Sequence, residues 1–136
     1  MKVTLERKNN AYWFQGMGKN SIPVNIDNGE KGASPMELLL MSVGGCSAVD
    51  IVSILTKQKQ EVTNYTMEVI GERIEVGQAK PFKSMHVNIF LEGKINPIKA
   101  KKAADLSFQK YCSVSLTLEP QVPITYTIHV NGSKIE

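Results

Sequence analysis

The sequence of 136 residues predicts an α+β fold with a mostly antiparallel sheet, a long buried central helix and a second helix. Three observations carry this prediction. They are an apolar run over residues 34–57, segments on both sides of it in which polar and apolar residues alternate, and a second helix start signal after residue 95. Alternating segments that follow one another in runs favour an α+β fold over a parallel α/β fold. The length suits a single domain over residues 1–136, with a sizeable core.

The first third of the chain predicts three short strands. Residues 2–8 alternate between polar and apolar side chains, and Asn9-Asn10 supplies a turn to a partner strand over residues 11–17. A third strand is expected at residues 22–26. The polar, glycine-containing segment that follows is typical of a loop, and it delivers the chain to the central helix.

The central helix has a clear start signal. Ser34 suits the cap position, Pro35 suits the first turn, and Glu37 completes a Ser-x-x-Glu capping box. The apolar run then continues to about Lys57, which approaches the length of a membrane span. Glu37, Asp50, a glycine pair and several serines within it oppose a membrane location. The amino terminus also lacks an apolar stretch of signal-peptide length, so we expect a cytoplasmic protein without membrane association.

Beyond the central helix, the hydrophobic pattern predicts two strands, a second helix and a last strand, at residues 62–74, 84–92, 98–111 and 122–130. Asn96 and Pro97 are the cap and first-turn residues of the second helix. Residues 113–118 fit either a short helical continuation or a loop. His86 and His129 alternate with the apolar residues of their strands, and we expect His86 to be exposed or partly exposed and His129 to lie at the surface.

A helical wheel of the central helix shows one polar stripe on an otherwise apolar circumference. The stripe consists of Ser42, Cys46, Asp50, Ser53 and Lys57. A helix that is apolar nearly all round requires more cover than one small sheet provides. This pattern predicts a homodimer with the central helices buried between sheets. Cys46 lies in the middle of the stripe, and from the wheel alone it suits packing as well as chemistry.

Several classes of function lack support in the sequence. The net charge of +3 is mild and the lysines are spread along the chain, which disfavours a nucleic-acid partner. Phosphate-binding glycine loops, zinc motifs and a serine nucleophile elbow are absent. Two histidines and two distant cysteines form a metal site only by coincidence of folding, so we expect neither a metal nor another cofactor.

The two cysteines, Cys46 and Cys112, are the remaining candidates for chemistry. In a reducing compartment they are two free thiols or a redox pair. A thiol attacks a peroxide as the thiolate, which positive charge stabilises. The middle of a helix supplies little of that charge. Another element must therefore supply a cation, and the chain holds two arginines, Arg7 and Arg73.

Two segments resemble a known family. Gly32-Ala-Ser-Pro-Met-Glu-Leu-Leu-Leu-Met-Ser-Val-Gly-Gly-Cys46 is similar to the N-P-E-(E/Q)-L…A-(A/G)-C stretch of the OsmC/Ohr family, the osmotically inducible and organic-hydroperoxide-resistance proteins. Tyr111-Cys112-Ser-Val-Ser resembles the second cysteine segment of that family. The order of elements also agrees over essentially the whole chain, and the likeness is greatest to the short OsmC-like branch.

This resemblance implies an OsmC-like fold, an intertwined homodimer and thiol-dependent reduction of organic hydroperoxides in oxidative-stress defence, a peroxiredoxin-type activity. Cys46 would be the peroxidatic thiol, Cys112 the resolving thiol, and a dithiol reductant of the lipoyl type the partner. Arg7 is the candidate for the catalytic arginine. Met36 occupies the position of the family's glutamate, and Glu37, one residue later, is either a site carboxylate or simply the capping-box residue.

Two other functions are compatible with the sequence. One is a non-catalytic dimer of the same fold that binds a small apolar ligand beside the polar stripe. The other is a redox sensor in which oxidation of the thiols alters a protein contact.

Overall fold

The computed structural model describes all residues from Met1 to Glu136, and they form two compact units, Met1–Leu39 and Leu40–Glu136. A long helix begins in the first unit and continues into the second. The order of elements is three strands, the long helix, two strands, a second helical region and two strands. The predicted α+β class is therefore confirmed.

The first unit contains a three-stranded antiparallel sheet in the order β1-β2-β3, formed by Thr4–Arg7, Phe14–Met17 and Val24–Ile26. The strands lie where the sequence predicted them but are shorter. The side chain of Asn9 explains the difference at the first turn, because its Oδ1 accepts hydrogen bonds from the backbone N–H groups of Ala11 (3.0 Å) and Trp13 (3.2 Å). These bonds hold the residues before Phe14 in a turn.

Helix α1 comprises Pro35–Lys57 and starts with the predicted capping box. The Glu37 backbone N–H donates to Ser34 Oγ at 3.2 Å, and the Ser34 backbone N–H donates to Glu37 Oε1 at 2.9 Å. Two backbone donors at the helix start thus gain side-chain partners. The helix is long and apolar enough to cross a membrane by length and composition alone, a property that the core helices of soluble proteins share.

The second unit contains a four-stranded mixed sheet in the order β4-β5-β6-β7, formed by Glu61–Arg73, Phe82–Lys94, Ile124–Val130 and Ser133–Ile135. Strands β4 and β5 form a long antiparallel pair, and β7 pairs antiparallel with β6. The pair β5 and β6 is parallel, as expected when a helical region connects them. Strand β7 is only three residues long and was not predicted from the sequence.

Within the second unit, α1 buries one side against the sheet. That side consists of Val43, Gly44, Ser47, Ile51 and Leu55. A Cβ atom at Gly44 would lie 2.9 Å from Met67 Sδ, so the missing side chain lets the helix lie close to β4. The opposite side is uncovered in the single chain, and Val49 is 71% exposed. The helix predicted to be surrounded by protein on most sides is therefore buried on one side by its own chain.

The second helical region differs from the single helix predicted over residues 98–111. Helix α2 comprises Pro97–Leu106 and is capped by Asn96, whose side chain accepts from Ile98 N and Lys99 N. A π turn follows at Ser107–Tyr111, and a separate short helix, α3, comprises Ser113–Leu118. Of the two alternatives for residues 113–118, the helical one is thus observed. The change from α to π turn carries no hydrophobic periodicity of its own, so the pattern could not reveal it.

Candidate functional site

The fold brings the two cysteines together. Cys46 lies in the middle of α1 and Cys112 directly precedes α3, and both thiols are free. Their Sγ atoms and a carboxylate oxygen of Asp50 all lie within 4.8 Å of one another. Asp50 follows Cys46 by one helical turn and therefore shares its face of α1. The polar stripe of the central helix thus meets the second cysteine segment at this point.

The π turn positions Cys112. The Cys112 backbone N–H donates to the Ser107 carbonyl at 2.7 Å, five residues back, and this bond closes the turn. Cys112 itself has an extended conformation and caps α3. Its Sγ accepts hydrogen bonds from Ser115 Oγ at 3.1 Å and from the Ser115 backbone N–H at 3.4 Å. The sulfur is therefore held by Ser115 and lies near Cys46.

The surroundings of Cys112 act on its protonation in opposite directions. Burial raises the pKa of the Cys112 thiol, the two hydrogen bonds from Ser115 lower it, and the neighbouring Cys46 thiol raises it. The net effect is a raised pKa. Cys112 is fully buried, whereas Cys46 is partly accessible. The two thiols therefore differ in access and in environment.

Asp50 is fixed by a buried serine. Ser107 Oγ donates to Asp50 Oδ2 at 2.9 Å, and it also lies 3.5 Å from the Ser47 carbonyl oxygen. Ser107 has no exposed surface, so this contact anchors the start of the π turn to α1. The second carboxylate oxygen of Asp50 is not used in this bond.

A cavity of ≈ 570 Å³ lies beside Asp50. It is lined by Asp50, Ser53, Ile54, Lys57, Gln58, Leu106 and Tyr111. Three of the five residues of the polar stripe contribute to its wall. The cavity therefore provides space for a small molecule near the thiols, with polar and apolar groups in its lining.

Arg7 and Glu37 belong to the first unit. Arg7 is the last residue of β1, and its Nε donates to the Ala11 carbonyl at 3.0 Å. Glu37 is the capping-box residue of α1, and the hydrogen bonds from Ser34 lower its pKa. The structure thus shows a local role for each residue, and their roles toward the thiols stay predictions.

The two histidines make local contacts in the second sheet. The ring of His86 contacts Thr125 Oγ1 (2.6 Å), Thr127 Oγ1 (2.9 Å) and Asn88 Oδ1 (3.1 Å). The ring of His129 stacks on Phe90 with 4.7 Å between centroids. Both are half-buried, which agrees with the exposed or partly exposed position predicted for His86 and differs from the surface position predicted for His129.

Three residues near the thiols were not among the site residues predicted from the sequence. Asp50 was visible on the polar stripe, but the wheel gave no partner for it. Ser115 follows Cys112 by three residues, which is the spacing of a cap and its backbone donor, and that signal could have identified it. Ser107 had no such signal, because the π turn that orients it leaves no mark in the hydrophobic pattern.

The fold and the paired thiols define a dithiol protein of the α+β class. Residues 28–127 match the family model described as OsmC-like protein. The chain is 40% identical over 126 residues to protein YhfA of Escherichia coli K12, which covers 87% of this chain and 93% of the relative. The chain therefore belongs to the OsmC-like family.

Solved structures share the fold. A protein from Aquifex aeolicus VF5 superposes with a TM-score of 0.81 and 32% identity, and the match covers 96% of each chain. The organic hydroperoxide resistance protein OhrB of Bacillus subtilis superposes with a TM-score of 0.63 and 17% identity, covering 94% of this chain and 96% of OhrB. The predicted OsmC/Ohr resemblance and OsmC-like fold are thus confirmed.

Proposed function

We propose that this protein is a thiol-dependent peroxidase that reduces organic hydroperoxides, with Cys46 as the peroxidatic thiol and Cys112 as the resolving thiol. The observation that carries the proposal is the position of the two free sulfurs, which lie within 4.8 Å of each other. A disulfide has an S–S distance of about 2.05 Å, so the two side chains must move toward each other to form it. Membership of the OsmC-like family, which includes proteins of hydroperoxide resistance, agrees with a role in oxidative-stress defence.

The unequal burial of the thiols supports the division of roles. A hydroperoxide must reach the sulfur that it oxidises, and Cys46 is the partly accessible one. Cys112 is fully buried, so it meets Cys46 but not bulk solvent. This arrangement favours attack on the peroxide by Cys46 and closure by Cys112.

The chemistry takes place in three steps. The Cys46 thiolate attacks one oxygen of ROOH, the O–O bond breaks, and a proton completes ROH, which leaves Cys46 as a sulfenic acid. Cys112 then attacks the sulfenic sulfur, an S–S bond forms, and water leaves. A dithiol reductant, of the lipoyl type implied by the family resemblance, restores both thiols by thiol–disulfide exchange.

The first step requires a thiolate at Cys46, and a nearby cation would stabilise it. Asp50 has a carboxylate near the two sulfurs, and a negative group cannot stabilise the thiolate. We assign the cationic role to Arg7, because arginine stays charged and offers several donors. Glu37 would act indirectly, by fixing the start of the helix that carries Cys46.

We further propose that the protein works as a cytoplasmic homodimer. The uncovered side of α1 carries Met41, Val49 and Val52, and all three are exposed in the single chain. A contiguous apolar surface on a helix is typical of a protein contact. A second copy of the chain would cover this surface and complete the burial that the sequence predicted for the central helix.

Ligand binding without turnover is the second candidate function, and the cavity beside Asp50 favours it. Its lining includes Asp50, Lys57 and Gln58, which suits a ligand with polar groups better than the purely apolar ligand expected from the sequence. A redox sensor would use the same thiol pair, with oxidation altering a protein contact instead of clearing peroxide.

Consumption of cumene hydroperoxide in the presence of dihydrolipoamide distinguishes these candidates. We expect turnover with the native chain, none with Cys46→Ser, and sulfenic acid without disulfide in Cys112→Ser. Unchanged consumption in Cys46→Ser would refute the assigned roles. Oxidation of the thiol pair without repeated turnover would favour the sensor, and inert thiols together with a ligand that raises the melting temperature would favour the binding protein.

A further inference from the structure

The residues around the two thiols also form the donor set of a metal site. We propose that the reduced protein binds a divalent cation of the Zn²⁺ class through Cys46 Sγ, Cys112 Sγ and a carboxylate oxygen of Asp50. These three atoms lie within 4.8 Å of one another. The sequence disfavoured a metal site of two histidines and two cysteines, because only folding could gather those residues. Folding gathers the two cysteines and adds Asp50 to them.

The distances suit a small tetrahedral ion. Zn²⁺ binds thiolate sulfur at about 2.3 Å and carboxylate oxygen at about 2.0–2.2 Å, which places tetrahedral ligand atoms roughly 3.4–3.8 Å apart. Ligand atoms within 4.8 Å reach this spacing when each moves by less than about an ångström. Side-chain rotations of Cys46 and Asp50 on the same face of α1 provide such movements without a change of the backbone.

Two serines already orient the ligands. Ser107 Oγ donates to Asp50 Oδ2 at 2.9 Å, which leaves the other carboxylate oxygen for a cation. Ser115 Oγ donates to Cys112 Sγ at 3.1 Å. Hydrogen bonds of this kind fix the direction of ligand atoms and raise the affinity of a metal site. Both serines are buried, so solvent competes little for these bonds.

The donor chemistry selects the class of ion. Two thiolates favour Zn²⁺ and similar borderline or soft ions over Mg²⁺ and Ca²⁺, which require oxygen ligands. Three protein ligands leave a fourth position, which water or a small anion can occupy. The thiolates and the carboxylate together carry three negative charges, so a divalent ion removes most of the charge repulsion among them.

Metal binding and disulfide formation exclude each other, because both use the same two sulfur atoms. Oxidation of the pair by a hydroperoxide takes two electrons from the thiolates and yields a disulfide, ROH and water with the uptake of two protons. The ion then loses two of its three protein ligands. The bound cation would accordingly protect the reduced thiols, and their oxidation would release it.

Co²⁺ is a suitable probe, because thiolate ligation gives it charge-transfer absorption in the near ultraviolet. We expect reduced, metal-free protein to bind one Co²⁺ per chain with this absorption, and Zn²⁺ to displace it. Cys46→Ser and Cys112→Ser should abolish the absorption, and Asp50→Asn should weaken Zn²⁺ binding about tenfold or more in competition with a chromophoric chelator. Glu68→Gln, which removes a charge from an exposed position on β4, is the matched control and should bind normally.

Two further measurements keep the test independent of folding and of peroxidase activity. Asp50→Glu retains a carboxylate and should recover much of the affinity lost in Asp50→Asn. Protein oxidised to the disulfide with diamide should bind no Co²⁺. Absence of thiolate-to-cobalt absorption in the reduced native chain would overturn the proposal, and so would equal Zn²⁺ affinities of Asp50→Asn and Glu68→Gln. None of these results depends on the turnover of hydroperoxide.

Discussion

The hydroxyl of Ser115 should control how fast Cys112 closes the disulfide. Ser115→Ala removes the hydrogen bond from Oγ to Cys112 Sγ and retains the backbone N–H. That bond stabilises the thiolate and lowers the pKa of Cys112, so its loss raises this pKa further. The variant therefore has less Cys112 thiolate than the native chain at any pH below this pKa.

The magnitude follows from the strength of the bond. A hydrogen bond to a charged group contributes about 1.5–3 kcal/mol, and sulfur is a weak acceptor, so we take the lower end. About 1.4 kcal/mol corresponds to a tenfold lower thiolate population. The remaining thiolate is more nucleophilic, with a Brønsted slope of about 0.4–0.5, which leaves roughly a three- to fourfold slower closure at neutral pH.

The assay follows the sulfenic acid of Cys46. A pulse of cumene hydroperoxide oxidises Cys46, and dimedone added at intervals captures the sulfenic acid that Cys112 has not yet consumed, for quantification by mass spectrometry. At alkaline pH, where Cys112 is ionised in both proteins, the variant should equal or exceed the native rate. Ser113→Ala changes an exposed serine next to Cys112 and is the control. A native rate at neutral pH, or slow closure that persists at alkaline pH, would refute the reasoning.

Three further predictions concern the fold and the proposed dimer. Gly71→Ala should lower the free energy of unfolding by about 1–3 kcal/mol in urea denaturation, because its Cβ would lie 2.3 Å from Phe82 Cε1. Glu37→Gln should lower the melting temperature at neutral pH but not at acid pH; the pKa of Glu37 is lowered by Ser34, so its contribution exists above the unfolded-state pKa and disappears as the pH falls through the folded-state pKa. Val49→Lys should shift the proposed dimer toward monomer in sedimentation experiments, since it places a charge on the apolar side of α1.

Each of these predictions has a control or a contradicting result. Gly18→Ala, at a position where a Cβ atom meets nothing within 4 Å, should leave stability nearly unchanged. If the melting temperatures of the native chain and Glu37→Gln differed by the same amount at every pH, the predicted pH dependence would be contradicted. Ile98→Lys adds the same charge at an exposed apolar residue of α2, and equal dissociation by both lysine variants would contradict a contact through α1.

The sequence could predict those elements whose signals are local. The capping box of Ser34 and Glu37 marked the start of α1, and Asn96 marked the start of α2, because caps depend on neighbouring residues only. Strand lengths were less predictable, since the side chain of Asn9 replaces backbone pairing at the first turn. The uncovered side of α1 could not be located from hydrophobicity, which is high nearly all round the helix outside the polar stripe.

The candidate site was predictable in part. The polar stripe and the family resemblance pointed to Cys46 and Cys112, and the fold brings them together. The contacts of Asp50 with Ser107 and of Cys112 with Ser115 depend on the π turn, which rotates the chain after α2 in a way that periodicity does not report. Residues with such tertiary contacts emerge only when the chain path is known.

Peptide mapping can show whether Cys46 and Cys112 form one redox pair. Reduced protein is treated with one equivalent of cumene hydroperoxide, the remaining thiols are alkylated, and the digest is analysed by mass spectrometry. We expect a peptide pair joined by a Cys46–Cys112 disulfide together with one equivalent of cumyl alcohol. Alkylated Cys46 and Cys112 with the hydroperoxide unconsumed would contradict it.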